Sequence, residues 1–81
     1  MPDWDASEYI YVQLADALAG LIDDGTYPPG SRLPSEAELS ETWEVARPTV
    51  RQALSLLRDR GRIVTLHGRG SVVVAPDRGK L

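Results

Sequence analysis

Arg47-Pro48-Thr49-Val50-Arg51-Gln52 runs directly into Ala53-Leu54-Ser55-Leu56-Leu57-Arg58-Asp59-Arg60, and the period of this stretch decides how the rest of the chain is read. At about 3.6 residues per turn, Val50, Ala53, Leu54 and Leu57 fall on one apolar stripe, the mark of a helix that packs on a core. Arg47, Thr49, Arg51 and Gln52 fall off that stripe, toward solvent. Pro48 opens the helix within its first turn, where a missing N–H costs no hydrogen bond. Pro48 also disfavours helical geometry at the residue before it, so Arg47 is expected as a cap rather than an interior position. A helix start that displays two guanidinium groups, a hydroxyl and an amide is suited to a polar partner.

Upstream, Ser35-Glu36-Ala37-Glu38 has the form of a capping box, in which the Ser35 hydroxyl takes the Glu38 backbone donor and the Glu38 carboxylate reaches back. A short helix over about 36 to 43 follows, with Leu39 and Trp43 facing inward. Glu44-Val45-Ala46 then turns the chain into the helix that carries Arg51. Two helices joined by three residues, the second presenting polar groups at its start, describe a helix-turn-helix. Still earlier, Ile10, Leu14, Ala17, Leu18, Leu21 and Ile22 recur at three- and four-residue steps and predict an amphipathic helix from Glu8 to about Asp24, with Ser7 as its cap and Gly25 as its stop. Tyr27-Pro28-Pro29-Gly30 reads as a rigid turn, and Ser31-Arg32-Leu33 as a short extended segment able to lend a minor third strand to a sheet.

Downstream of Arg60 the period changes. Gly61 ends the helix, and Arg62 to His67 and Ser71 to Ala75 are rich in β-branched residues, with Gly68-Arg69-Gly70 between them as a tight loop. This predicts a hairpin with a cationic tip. The fold expected is mainly α with a small β-hairpin, a winged helix-turn-helix of three helices and a two- or three-stranded antiparallel wing. Its bounds are residues 8–75, between flexible tails at residues 1–7 and 76–81.

The bulk properties bound the function. A chain of 81 residues supports one core. It has no cysteine, and His67 is its one histidine, so no metal site and no cofactor are expected. No apolar run approaches the roughly 20 residues that span a bilayer, and the N-terminus is acidic where a signal peptide is basic, which points to a cytoplasmic protein without a membrane partner. The net charge of −3 hides a split: residues 1–44 hold ten acids and one base, whereas residues 45–81 hold eight bases and two acids. A positive face that steers toward phosphate is the natural consequence of that asymmetry.

Four motifs in order, Tyr11-Val12-Gln13-Leu14, Pro29 to Leu39, Arg47 to Leu54, and His67-Gly68-Arg69-Gly70-Ser71, resemble the DNA-binding domain of the GntR family of bacterial transcription regulators. The resemblance covers roughly residues 9–75 and implies a sequence-specific regulator that binds double-stranded DNA at a pseudo-palindromic operator, as a homodimer on that DNA. It implies that Arg47 and Arg51 meet phosphate and guanine edges in the major groove and that Thr49 meets backbone phosphate. It further implies that Gly68 lets the wing enter the minor groove beside His67 and Arg69. The DNA-binding candidates are therefore Ser35, Arg47, Pro48, Thr49, Arg51, Gln52, His67, Gly68 and Arg69.

Three positions depart from the family pattern. Glu44 stands where members often carry glycine in the turn, Ala46 replaces a frequent serine or threonine, and Ala37 replaces a basic residue of some members. Members normally carry a C-terminal domain that binds a metabolite and dimerises. This sequence stops soon after the wing and holds no effector domain, so a truncated chain is preferred over a complete miniature regulator.

Other residues carry two readings. Arg58, Arg60 and Arg62 are phosphate contacts or, preferably, cations that favour the negative end of a helix. Trp4, Trp43 and Tyr27 read as packing residues before base-stacking platforms, and Tyr9 and Tyr11, two apart on a helix, cannot both face the core. No nucleophile, base and orienting group fall together, so an enzyme is not expected. The alternative function is a protein-interaction module that works through the acidic first helix, with Asp16, Asp23 and Asp24 as its face.

Overall fold

The computed structural model describes residues 4, 8–66, 68 and 70–74. In chain order the elements are α1 (Ile10–Asp23), α2 (Glu36–Trp43), α3 (Arg47–Asp59), β1 (Ile63–Leu66) and β2 (Gly70–Val73). This is the expected winged helix-turn-helix, with α1 and α2 both packed on α3 and the hairpin joined to the end of α3. Ser7, His67 and Arg69 lie outside the described residues, as do both predicted tails apart from Trp4.

The core forms where the stripes converge. Val50, Ala53, Leu54 and Leu57 of α3 are all buried, as their spacing requires, against Leu14 and Leu18 of α1, Leu39 of α2, and Leu33, Ile63 and Val73. The stripe of α1 is rotated from the sequence reading: Ala15 and Ala19 are buried and Ile10 is exposed. Small side chains at Ala15 and Ala19 let the helix surface they share face the core, and Ile10 sits at the free end of the helix.

The helix also starts two residues later than expected. Its N-cap is Tyr9, whose extended backbone presents the carbonyl to Val12 N and Gln13 N, both at 3.2 Å, and no side chain caps it. At the other end, Asp24 accepts from the Thr26 hydroxyl at 2.7 Å and from the Thr26 backbone at 2.9 Å. These two bonds, the hydroxyl first, hold its carboxyl below the usual carboxylate range. The stabilisation they give is present above the ordinary carboxylate pKa and is lost as pH falls through the lowered one.

The turn of the helix-turn-helix joins α2 to α3 through Glu44, Val45 and Ala46. The capping box at the start of α2 is complete, with Glu38 N donating to Ser35 Oγ at 3.1 Å and Ser35 N donating to Glu38 Oε1 at 2.9 Å. At the far end, Glu44 takes the left-handed conformation, φ 56 and ψ 48, which favours glycine. Val45 N donates to Ser40 O at 3.2 Å and the Ser40 hydroxyl to Val45 O at 2.5 Å, so the turn is pinned although a side chain at Glu44 opposes it. Left-handed backbone costs an L-residue about 1–2 kcal/mol, only part of which is offset by the greater unfolded-state entropy of glycine. Glu44→Gly is therefore expected to stabilise the fold by about 0.5–1 kcal/mol, read as a raised urea midpoint at unchanged slope.

Arg47 differs from its expected place. Ala46 is the N-cap, extended at φ −68 and ψ 150, and Arg47 is the first helical residue with Pro48 second. Thr49 N and Val50 N both reach Ala46 O, at 3.0 and 3.1 Å, and these bonds fix the helix start one residue before the proline despite the steric bias against it. Ala46 offers no side-chain cap.

In the wing, Ile63 pairs with Val73, Val64 with Val72, Thr65 with Ser71 and Leu66 with Gly70. Ile63 and Val73 point into the core from the base of this ladder. Gly68 and Gly70 have φ of 77 and 76, which only glycine adopts without strain, and they allow the reversal. The third strand reduces to one bridge, Arg32 with Val72, flanked by Leu33 N to Ser71 O and Val73 N to Ser31 O, each 2.9 Å.

Candidate nucleic-acid interface

The N-terminal turns of α3 stand out from the molecule because their opposite side is anchored. Val50 and Ala53 are fully buried, while Arg47, Pro48, Arg51 and Gln52 are exposed and Thr49 is half-buried. Two concave surfaces flank this edge. One is a groove lined by Arg32, Ser35, Glu36, Arg51, Arg58, Thr65 and Gly68, so it joins the start of α2, the outward side of α3 and the tip of the wing. The other brings Thr49 and Gln52 against Trp4, Tyr9, Ile10 and Tyr11 at the start of α1.

Of the residues singled out from sequence, Ser35, Arg51 and Gly68 thus share one groove, and Thr49 and Gln52 share its neighbour. Arg47 and Pro48 sit on the exposed helix start and line neither. Sequence reasoning missed Glu36 and Thr65 and undervalued Arg58. Arg58 stands seven residues after Arg51, two helical turns along the same side, which was a usable signal. Its Nη1 donates to Thr65 Oγ1 at 2.9 Å, tying α3 to the wing across the groove.

Arg60 and Arg62 have intramolecular partners. Arg60 Nη1 lies 2.8 Å from Asp16 Oδ1, and Arg62 pairs with Asp23. The end of α3 is thereby tied to α1 through ion pairs that neither reading of these arginines included. The same pairs occupy Asp16 and Asp23, two of the three acids of the interaction face considered along α1. Arg51 is paired too, its Nε 3.3 Å from both Glu36 oxygens, yet its side chain is 60% exposed. An exposed pair of this kind contributes at most about 1 kcal/mol, and it engages Nε while leaving the terminal nitrogens of Arg51 outside the contact.

Aromatic residues serve packing here. Trp4 and Trp43 meet with ring centroids 6.2 Å apart, and both lie half-buried against the core together with Tyr27. Tyr9 stacks on Tyr11 at 5.9 Å, with Tyr11 turned toward the core and Tyr9 exposed. No helix among the described residues is long and apolar enough to cross a membrane.

The family model for bacterial regulatory proteins of the gntR family matches residues 10–73. The chain belongs to the gntR family. Among gntR relatives, an HTH-type transcriptional regulator of Mycobacterium tuberculosis, Rv0494, is 45% identical over 65 residues, covering 80% of this chain and 27% of the relative. A GntR family transcriptional regulator from Listeria monocytogenes has the same fold, with a TM-score of 0.85 and 32% identity over 93% of this chain and 66% of that one. The AraR DNA-binding domain, solved in complex with its operator ORR3, matches with a TM-score of 0.76 and 27% identity over 91% of this chain and 93% of that one. The chain spans 27% to 28% of the length of the first curated gntR relatives it matches.

Proposed function

We propose that this chain is a sequence-specific binder of double-stranded DNA and acts as the DNA-reading part of a cytoplasmic transcription regulator, without enzymatic activity. The observation that carries the reading is the exposed, polar start of α3, held out by a buried stripe and flanked by the wing, in a fold shared almost end to end with an operator-bound domain. Arg47 and Arg51 enter the major groove, where a guanidinium pairs bidentately with guanine O6 and N7, while Thr49 and Gln52 meet phosphate or base edges beside them. Ser35 and Pro48 line the approach of the backbone. Gly68 brings the wing tip, with His67 and Arg69, to the minor groove, whose narrow A·T-rich form attracts cations.

A single copy of so small a reader covers one half-site. Two copies on a pseudo-palindromic operator, with half-sites about one helical turn apart, supply the remaining affinity. The test is selection of sites from random duplexes, followed by stoichiometry and salt titration on the winning sequence. Expected are two chains per selected duplex and a linear fall of log affinity with log salt, about 0.9 per phosphate neutralised, on a chain whose overall charge is −3. Failure to enrich any sequence, or a flat response to salt, refutes the proposal.

A further inference from the structure

Glu36 and Glu38 are acids on a groove that also holds Arg32, Arg51 and Arg58, and Glu36 touches Arg51. It is the first residue of α2, where the helix dipole favours a carboxylate, and the Ser35–Glu38 capping box fixes the backbone around it. Both of its carboxylate oxygens lie 3.3 Å from Arg51 Nε, across fifteen residues of sequence. A guanidinium carries five N–H donors, one on Nε and two on each terminal nitrogen. A carboxylate held at Nε leaves the terminal edge, Nη1 and Nη2, outside this ion pair. That edge is one that can pair with guanine O6 and N7 together.

We infer that Glu36 is a positioning residue for guanine recognition, holding Arg51 by Nε so that its terminal nitrogens meet the base. The inference rests on the DNA-binding reading given above and deepens it. The carboxylate works in two opposed ways. It repels phosphate, lowering affinity for every duplex, and it removes conformational freedom from Arg51, raising preference for one base pair. Glu36 therefore trades general affinity for selectivity.

The opposed effects make the idea testable with Glu36→Ala and Glu36→Gln in the selected duplex and in duplexes changed at single base pairs. Glu36→Ala frees one immobilised side chain and is expected to reduce discrimination at the base pair read by Arg51 about 2- to 12-fold, while affinity for unrelated duplexes holds or rises. Glu36→Gln removes the same charge but keeps an oxygen that accepts from Nε, so it retains most of the discrimination. In an Arg51→Ala background, Glu36→Ala adds no further loss of discrimination, as expected of a residue that acts through another. Thermal unfolding confirms that each variant is folded at the assay temperature.

Unchanged discrimination in Glu36→Ala overturns the inference, as does equal behaviour of the alanine and glutamine variants, which marks a simple charge effect. Loss confined to a base pair that Arg51→Ala leaves intact also overturns it, because that pattern belongs to a carboxylate reading cytosine N4 directly. Absence of any sequence preference in the unsubstituted chain is a separate result and refutes the DNA-binding reading itself.

Discussion

Arg51→Ala is expected to remove discrimination at one base pair, by about 1–3 kcal/mol or roughly 5- to 150-fold, while leaving the domain folded. The magnitude follows from the bidentate guanine contact proposed for Arg51, and the selectivity of the effect follows from where Arg51 stands. Its side chain is 60% exposed and touches the protein through one exposed ion pair to Glu36. Losing that pair costs folding at most about 1 kcal/mol, and alanine is a better helix former than arginine, which offsets part of it. Binding curves on the selected duplex and on variants changed at one base pair are the measurement, with thermal unfolding as the control. Equal loss on every duplex, with the ratio between them intact, instead identifies Arg51 as a phosphate contact. The salt dependence separates the two further, since a lost phosphate contact lowers the slope by about one.

How much of this was readable from the sequence divides along distance in the chain. The Ser35–Glu38 box and the stripe Val50, Ala53, Leu54 and Leu57 depend on neighbours within one or two turns, and the structure has them as the spacing requires. The left-handed strain at Glu44 was visible as a departure from a family glycine. What spacing did not reveal are the ties between distant segments. Arg60 finds Asp16 across 44 residues, Arg62 finds Asp23 across 39, and Arg51 finds Glu36 across 15. A split of ten acids against one base in the first half, and eight bases against two acids in the second, looks on paper like two opposed faces. In the fold, α1 packs along α3, and part of that opposition becomes local pairing.

The end points failed for a related reason. Glu8 has the composition of a first helical turn, but the Tyr9 carbonyl accepts the first helical bonds and α1 starts at Ile10. Arg47 precedes a proline, yet the bond from Val50 N to Ala46 O takes it into α3. In both cases two backbone hydrogen bonds to one carbonyl move a boundary that side-chain preference alone left open. Neither shift changes which residues of α3 are exposed.

Leu57→Ala is expected to have the largest effect on stability. Leu57 is fully buried, belongs to the helix that α1, α2 and β1 all pack against, and lies in one core cluster with Leu14, Leu18 and Ile63. Truncation of a buried leucine costs about 2–5 kcal/mol, from lost transfer energy plus the cavity left behind. For a domain of 81 residues, total stability is of the order of 4–12 kcal/mol, so the loss is a large fraction of what holds the chain folded. At about 4–8 °C per kcal/mol for a domain of this size, the melting temperature should fall by roughly 10–30 °C. Leu57→Met, which conserves volume, should cost less than about 1.5 kcal/mol. The same variant separates support from recognition. Its apparent affinity for DNA should fall on every duplex in proportion to the folded fraction, with the ratio between selected and unrelated duplexes intact, whereas Arg51→Ala changes the ratio in a folded protein. A Leu57→Ala protein that melts within a few degrees of the parent would show that the α3 stripe does not carry the core, and the rigid display of Arg47 and Arg51 would then need another support.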